Sequence, residues 1–203
     1  MTPAEYKEEM ERQINGWHIP LSKGQITLNK GLDSMQSFKL EAQDVPFVIK
    51  LVENPKYDVG LFAGNVSLHN HDCIHLLLGR GLRVKDEAFV IGYTMGSTKK
   101  MPRWRRNLYM FCAKYLFPEG YRFGEEERFV FNMGVAAGSR CPTDLSTVDF
   151  QLIQRDYVWQ IRNKLGIDNH LIKACYELES KMFRGSYESA RLLKGYHEEQ
   201  LNN

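Results

Sequence analysis

The sequence predicts an all-α fold: a single multi-helix domain with a metal site on a helical hairpin and a C-terminal helical extension. Three observations predict it. Apolar residues recur at three- and four-residue spacing along most of the chain. Ser, Thr or Asp caps precede those runs, and glycine or proline follows them. No convincing run of period-two alternation competes, with Phe129 to Phe131 locally ambiguous.

Thr2-Pro3-Ala4-Glu5 is a capping-box pattern with proline at the first helical position, so a helix opens the chain and Gly16 can stop it. Residues 17–43 show no dominant period and are interrupted by Gly24 and Gly31. They read as an irregular N-terminal segment with room for a turn or two of helix from Asp33 to Ala42. Asp44-Val45-Pro46 starts the next helix, with Phe47, Val48, Leu51 and Val52 as its stripe and Asn54-Pro55 as its end. Ser67 caps a helix through Leu78 that buries Leu68, Ile74 and Leu78.

Helices are then expected over Asp86–Met95, Trp104–Phe117 and Glu125–Ala137, separated by glycine- and proline-containing connections. Ser146-Thr147-Val148-Asp149 resembles a further start, leading through Ile161 to a stop at Gly166. Asp168 caps a helix to about Phe183, and Ser186 one to about Gln200. Residues 1–203 form one domain, with a core over 44–167, the irregular segment and first helix over 1–43, and the extension over 168–203.

The composition narrows the function classes. A chain of 203 residues suits one well-packed domain. A net charge of +2, with both signs mixed along the chain, argues against an extended nucleic-acid surface, and no nucleic-acid partner is expected. No apolar run approaches the roughly 20 residues of a membrane-spanning helix. The first helix, carrying Glu5, Glu8, Glu9 and Glu11, resembles neither a secretory signal nor an acidic-poor transit peptide, so a soluble, cytoplasmic protein is expected. Cys73, Cys112, Cys141 and Cys175 are scattered without Cys-x-x-Cys spacing and read as reduced, mostly buried thiols.

The chemistry concentrates in His69-Asn70-His71-Asp72-Cys73-Ile74-His75. Residues four apart stack on one helix face, so His71 and His75 can aim at one point, with Asp72 beside them and Cys73 turned away. Glu87 lies twelve residues beyond His75, about 18 Å along a continuous helix, too far to share a site. Gly79-Arg80-Gly81 supplies a flexible break, and a helical hairpin there brings Glu87 opposite His75. Two imidazoles and two carboxylates suit one divalent ion, zinc first, with iron and manganese as alternatives. Spacing alone fits a polar helix face of hydrogen-bonded histidines equally well. His69 and Asn70 read as solvated helix-start residues or as groups that orient the ligands. The zincin motif is absent, because Asp72 replaces its glutamate at a different spacing.

His71-Asp72-Cys73-Ile74-His75, eleven residues, then Glu87 resembles the His-Asp-x-x-His-x11-Glu signature of the Coq-four-like ubiquinone-biosynthesis proteins. Ile161-Arg162-Asn163-Lys164-Leu165-Gly166-Ile167 is similar to that family's Arg-x-x-Leu-Gly-Ile ending. The likeness covers roughly Asp44 to Ile167, and Asp86 stands where many members carry glycine. The resemblance implies an all-α fold and a divalent metal at His71, Asp72, His75 and Glu87. It also implies association with isoprenoid-tailed or prenylated aromatic lipids in a membrane-peripheral quinone-making assembly, as a homo-oligomer or within a biosynthetic complex. The activity it implies is oxidative removal of the ring carboxylate from a prenylated hydroxybenzoate, or else a non-enzymatic lipid-binding scaffold.

Lys99, Lys100, Arg103, Trp104, Arg105 and Arg106 form the strongest charge cluster, at a helix start where cations are mildly unfavourable without a compensating anion. Trp104, Leu108, Phe111, Tyr115 and Leu116 follow at helical spacing. One reading rests this segment on the anionic inner face of a membrane as a lipid-facing surface. The other makes it a core helix whose arginines pair with Glu119 or Glu125 to Glu127. A third function class, a metal-dependent phosphohydrolase of the His-Asp type, needs further ligands for which His18 and Asp144 or Asp149 are nominal candidates.

Overall fold

The structure is a computed structural model that describes residues 16–41, 68–98, 101–117 and 122–195. The helices expected at Thr2 and at Asp44 lie outside the described residues. Among those described, the α-helices are α1 (Leu28–Glu41), α2 (Leu68–Leu78), α3 (Val84–Ser97), α4 (Arg103–Tyr115), α5 (Glu125–Gly138), α6 (Val158–Leu165), α7 (Asn169–Met182) and α8 (Tyr187–Ala190). Two 3-10 turns lie between α5 and α6 and a third follows α8, and a single antiparallel bridge between Thr27 and Tyr157 is the sole β pairing described. The all-α expectation holds.

The central element is α2. Every residue from Asp72 to Gly81 is buried, while Leu68 is only half-buried, so this is a core helix whose apolar surface exceeds the expected stripe. Beside it, α3 and α5 run in the same direction in backbone contact. A Cβ built on Gly92 would lie 2.3 Å from the Phe131 carbonyl, and one on Gly96 would lie 2.3 Å from that of Val135. From the other side, Gly134 meets the Phe89 carbonyl and Gly138 that of Tyr93, at 2.5 and 2.0 Å. Two Gly-x-x-x-Gly pairs therefore face each other, and no side chain separates the backbones. This contact fixes where α3, the carrier of Glu87, can sit.

Three elements depart from expectation. Helix α1 begins before Asp33 and continues through Gly31, because Gly31 leaves room for Leu76: a Cβ there would lie 2.6 Å from a Leu76 methyl carbon. The stretch from Ser146 is two 3-10 turns, Leu145–Thr147 and Phe150–Ile153, before α6. Asp144 and Asp149 each accept the amide two residues on, at 3.0 Å, which competes with α-helix formation. The backbone from Gln154 to Trp159 then pairs with that from Gly24 to Asn29, for example Val158 N–H to the Ile26 carbonyl at 2.9 Å, delaying the helix to Val158. Finally, the helix from Ser186 lasts one turn and becomes a 3-10 turn, Arg191–Leu193, because Leu192 and Leu193 turn into the core.

One stop and one start behave as expected. Gly166 ends α6 in the left-handed conformation (φ 70°), and the Asp168 carboxylate caps α7 by accepting the His170 and Leu171 amides at 2.9 and 3.1 Å. Ile172, Tyr176, Leu192 and Leu193 belong to the same apolar cluster as Ile74 and Phe89, so the C-terminal helices are part of the core.

Gly92→Ala tests the helix contact. Alanine's intrinsic advantage in a helix is up to about 1 kcal/mol, whereas forcing a methyl against an immobile backbone costs about 1–3 kcal/mol. A lowered melting temperature is expected; an unchanged or raised one contradicts the close approach.

Candidate metal centre

His71 and His75 share one face of α2, and the chain reverses immediately after the helix. Gly79 takes a left-handed conformation (φ 63°) and the Arg80 amide bonds the His75 carbonyl at 2.9 Å. At the start of α3, the Asp86 carboxylate accepts the Arg83 amide (3.0 Å), and Glu87 follows on the face turned toward α2. The hairpin condition is met. His71 Nε2 lies 2.9 Å from Glu87 Oε2, His75 Nε2 lies 3.3 Å from Glu87 Oε1, and the two Nε2 atoms are 3.0 Å apart. Among the described residues, these three side chains form a group whose ligand atoms all lie within 4.8 Å of one another.

His75 is fully buried, and its Nδ1–H donates to the Gly81 carbonyl at 2.7 Å. That bond selects the tautomer whose Nε2 lone pair faces the cluster, the arrangement by which metal-ligating histidines are oriented. His71 is partly exposed and opens the site to solvent. The donor set therefore fits a divalent ion.

Burial alone would lower the His75 pKa, but the carboxylates of Glu87, Asp72 and Asp86 together outweigh it and hold it above its ordinary value. Burial alone would raise Glu87, but His75 and then His71 outweigh it and hold the carboxyl well below the usual range.

Asp72 is buried on α2 and its charge acts on His75, but its carboxylate is not one of the three converging ligands. A short side chain some 100° around the helix from His71 points aside. Cys73 is turned into the core, where burial pushes its thiol up to about 12. His69 and Asn70 are tied elsewhere: the Gln154 amide lies 3.1 Å from His69 Nε2, and Asn70 donates to the Val148 carbonyl (3.1 Å). Both side chains are half-buried at the start of α2. His18 Nε2 bonds the Gly79 carbonyl at 3.1 Å, while Asp144 and Asp149 cap turns, so none of the three joins the cluster.

Lys99, Lys100 and Glu119 lie outside the described residues. On α4 the core is met by Tyr109 and Ala113, with Phe117 just beyond, whereas the predicted apolar stripe faces outward. Trp104, Phe111, Tyr115 and Leu116 are 54, 56, 56 and 68% exposed. The acids proposed as partners for its arginines are used differently. Glu125 faces Arg128 (3.6 Å), Glu126 pairs with Lys85 (2.5 Å), and Glu127 caps the Gly124 amide (2.9 Å).

Arg80, read from sequence as part of a flexible break, is fully buried. An arginine between two glycines carries no local sign of burial, and neither does the carbonyl role of Gly81. Comparison of the chain with models of protein families, with curated proteins and with solved structures gives no match.

The opposed shifts have a sign that can be measured. His75 is raised above its ordinary 6.5 and Glu87 lowered below its ordinary 4.5, so their attraction stabilises the metal-free protein fully between those values. It is lost as pH rises through the His75 pKa or falls through that of Glu87. Thermal melts of metal-free protein should decline as pH rises past His75, His75→Gln should flatten that slope, and a divalent ion should reverse it by taking the freed lone pair. A metal-free stability that climbs through this range in wild type and variant alike contradicts the pairing.

Proposed function

We propose that this chain is a metal-dependent protein that engages the polar head of a prenylated aromatic or other isoprenoid lipid at the His71–His75–Glu87 centre. The convergence of these three side chains at the open edge of a buried hairpin carries the reading. Two imidazoles and one carboxylate suit zinc, with iron or manganese as alternatives. His75 is already held by Gly81 in the ligating tautomer, so little reorganisation is needed. A bound ion supplies a Lewis acid for a carboxylate or phenolic oxygen. Glu87 and the nearby Asp72 supply negative charge against it, and His71 forms the solvent-facing edge.

The lipid side of the reading rests on α4. An aromatic stripe directed away from the core, beside Arg103, Arg105, Arg106 and Lys114 in a helix without an acidic residue, suits an anionic membrane surface. No helix among the described residues is long and apolar enough to cross a membrane, which fits peripheral contact. The resemblance of the signature to quinone-biosynthesis proteins supports the choice of a prenylated hydroxybenzoate as substrate and, with molecular oxygen as the two-electron oxidant and water supplying the new ring hydroxyl, loss of its ring carboxylate as carbon dioxide as the reaction.

Native mass spectrometry with metal analysis tests the centre: one divalent ion is expected in wild type and none after His71→Ala with His75→Ala. A metal-free wild type sinks the proposal. Air-exposed turnover of a prenylated hydroxybenzoate distinguishes an enzyme from a carrier, which would bind the head group without product. For the surface, binding to phosphatidylglycerol vesicles should weaken with salt and with Arg103, Arg105 and Arg106 changed to Gln; salt-insensitive binding, or none, counts against it.

A further inference from the structure

We propose that a buried ionic clasp from the C-terminal helices, Arg80–Glu179 and Asp86–Arg191, sets the metal affinity by holding the Gly79–Gly81 loop and the start of α3 in ligating position. The inference rests on the metal reading above and assigns positioning roles to residues that touch no ligand atom.

The Arg80 guanidinium is packed against the touching rings of Phe89 and Tyr176, 4.2 and 4.3 Å from their centroids. It forms a two-pronged pair with Glu179, at 3.3 and 2.5 Å, and Ser189 donates to the same carboxylate at 3.0 Å. Asp86 binds Arg191, lies 3.7 Å from Arg80, and immediately precedes Glu87. Whatever fixes Asp86 constrains Glu87. Arg191 also closes on Gly81: a Cβ there would lie 2.6 Å from both Arg191 Nη2 and the Trp17 carbonyl, so the loop is held between two remote segments.

The carbonyls around this turn are held as well. A helix end leaves its last carbonyls without intrahelical partners. Here Arg162 takes those of Leu77 and Leu76 (2.7 and 3.3 Å), the Tyr176 hydroxyl takes that of Leu78, and His18 takes that of Gly79. The Gly81 carbonyl thereby stands fixed for His75. Two buried arginines and two buried carboxylates are an expensive way to gain stability, since apolar side chains of similar volume often serve as well or better. Their position behind a ligand and its orienting carbonyl accounts for them.

The test measures Zn²⁺ affinity by chelator competition and the Co²⁺ absorption spectrum in Glu179→Gln, Arg191→Met and Arg191→Lys. Ile172→Ala, a buried α7 position, controls for general destabilisation. Glu179→Gln and Arg191→Met should bind Zn²⁺ about 10–100-fold more weakly with a shifted Co²⁺ spectrum. Arg191→Lys should recover part of the loss, while Ile172→Ala keeps wild-type affinity and spectrum at a lower melting temperature. If Glu179→Gln does not fold, Tyr176→Phe, which removes only the hydroxyl on the Leu78 carbonyl, should still weaken binding several-fold. Affinities within about twofold of wild type in the variants that fold, or an equal loss in Ile172→Ala, overturn the clasp alone. A wild type that binds no metal overturns both proposals.

Discussion

The reversal of the chain at Gly79–Gly81 inside the protein is the constraint on which the structure depends. Turns ordinarily sit at the surface, where water satisfies their backbone groups. This one is buried, and its polar groups must find partners in the protein. Arg162, Tyr176 and His18 supply them from sequence positions before and after the hairpin, and His75 supplies one from within it. The N-terminal residues from Trp17, helix α6 and helix α7 are held to the same few carbonyls. That explains why the C-terminal helices are integral to the core.

The second constraint is the glycine-mediated contact between α3 and α5. Because Gly92, Gly96, Gly134 and Gly138 let the backbones touch, α3 has little freedom to slide or rotate against its neighbour. Glu87 is therefore located twice: by the loop before it and by the helix pair after it. A ligand set assembled across a hairpin is only as well ordered as the registration of its two arms, and here both arms are pinned by contacts that tolerate no added atom.

Electrostatics divides the hairpin into two neighbouring groups. On one side, Arg80, Asp86, Glu179 and Arg191 balance two positive charges against two negative ones in nearly complete burial. On the other, His71, His75, Glu87 and the nearby Asp72 place two carboxylates beside two titratable rings. The first group is closed on itself. The second has lone pairs to offer and an opening at His71, which is what makes it a candidate for a cation.

By itself the sequence determined what local interactions decide: the helical class, the caps at Asp168 and Gly166, the shared face of His71 and His75, and the need for a reversal before Glu87. These follow from i, i+4 spacing, from side chains that satisfy nearby amides, and from the conformational freedom of glycine. Tertiary structure decided what depends on partners distant in the chain. Arg80 is buried because Glu179 lies across from it, α1 runs through Gly31 because Leu76 fills the space, and the segment after Ser146 stays out of a helix while paired to residues 24–29. Asp72 stands apart from the three converging ligands, and the stripe from Trp104 to Leu116 faces outward because Tyr109, Ala113 and Phe117 take the core side of α4. Amphipathic spacing shows that a helix has an apolar stripe; only the packing partner determines which face the core takes.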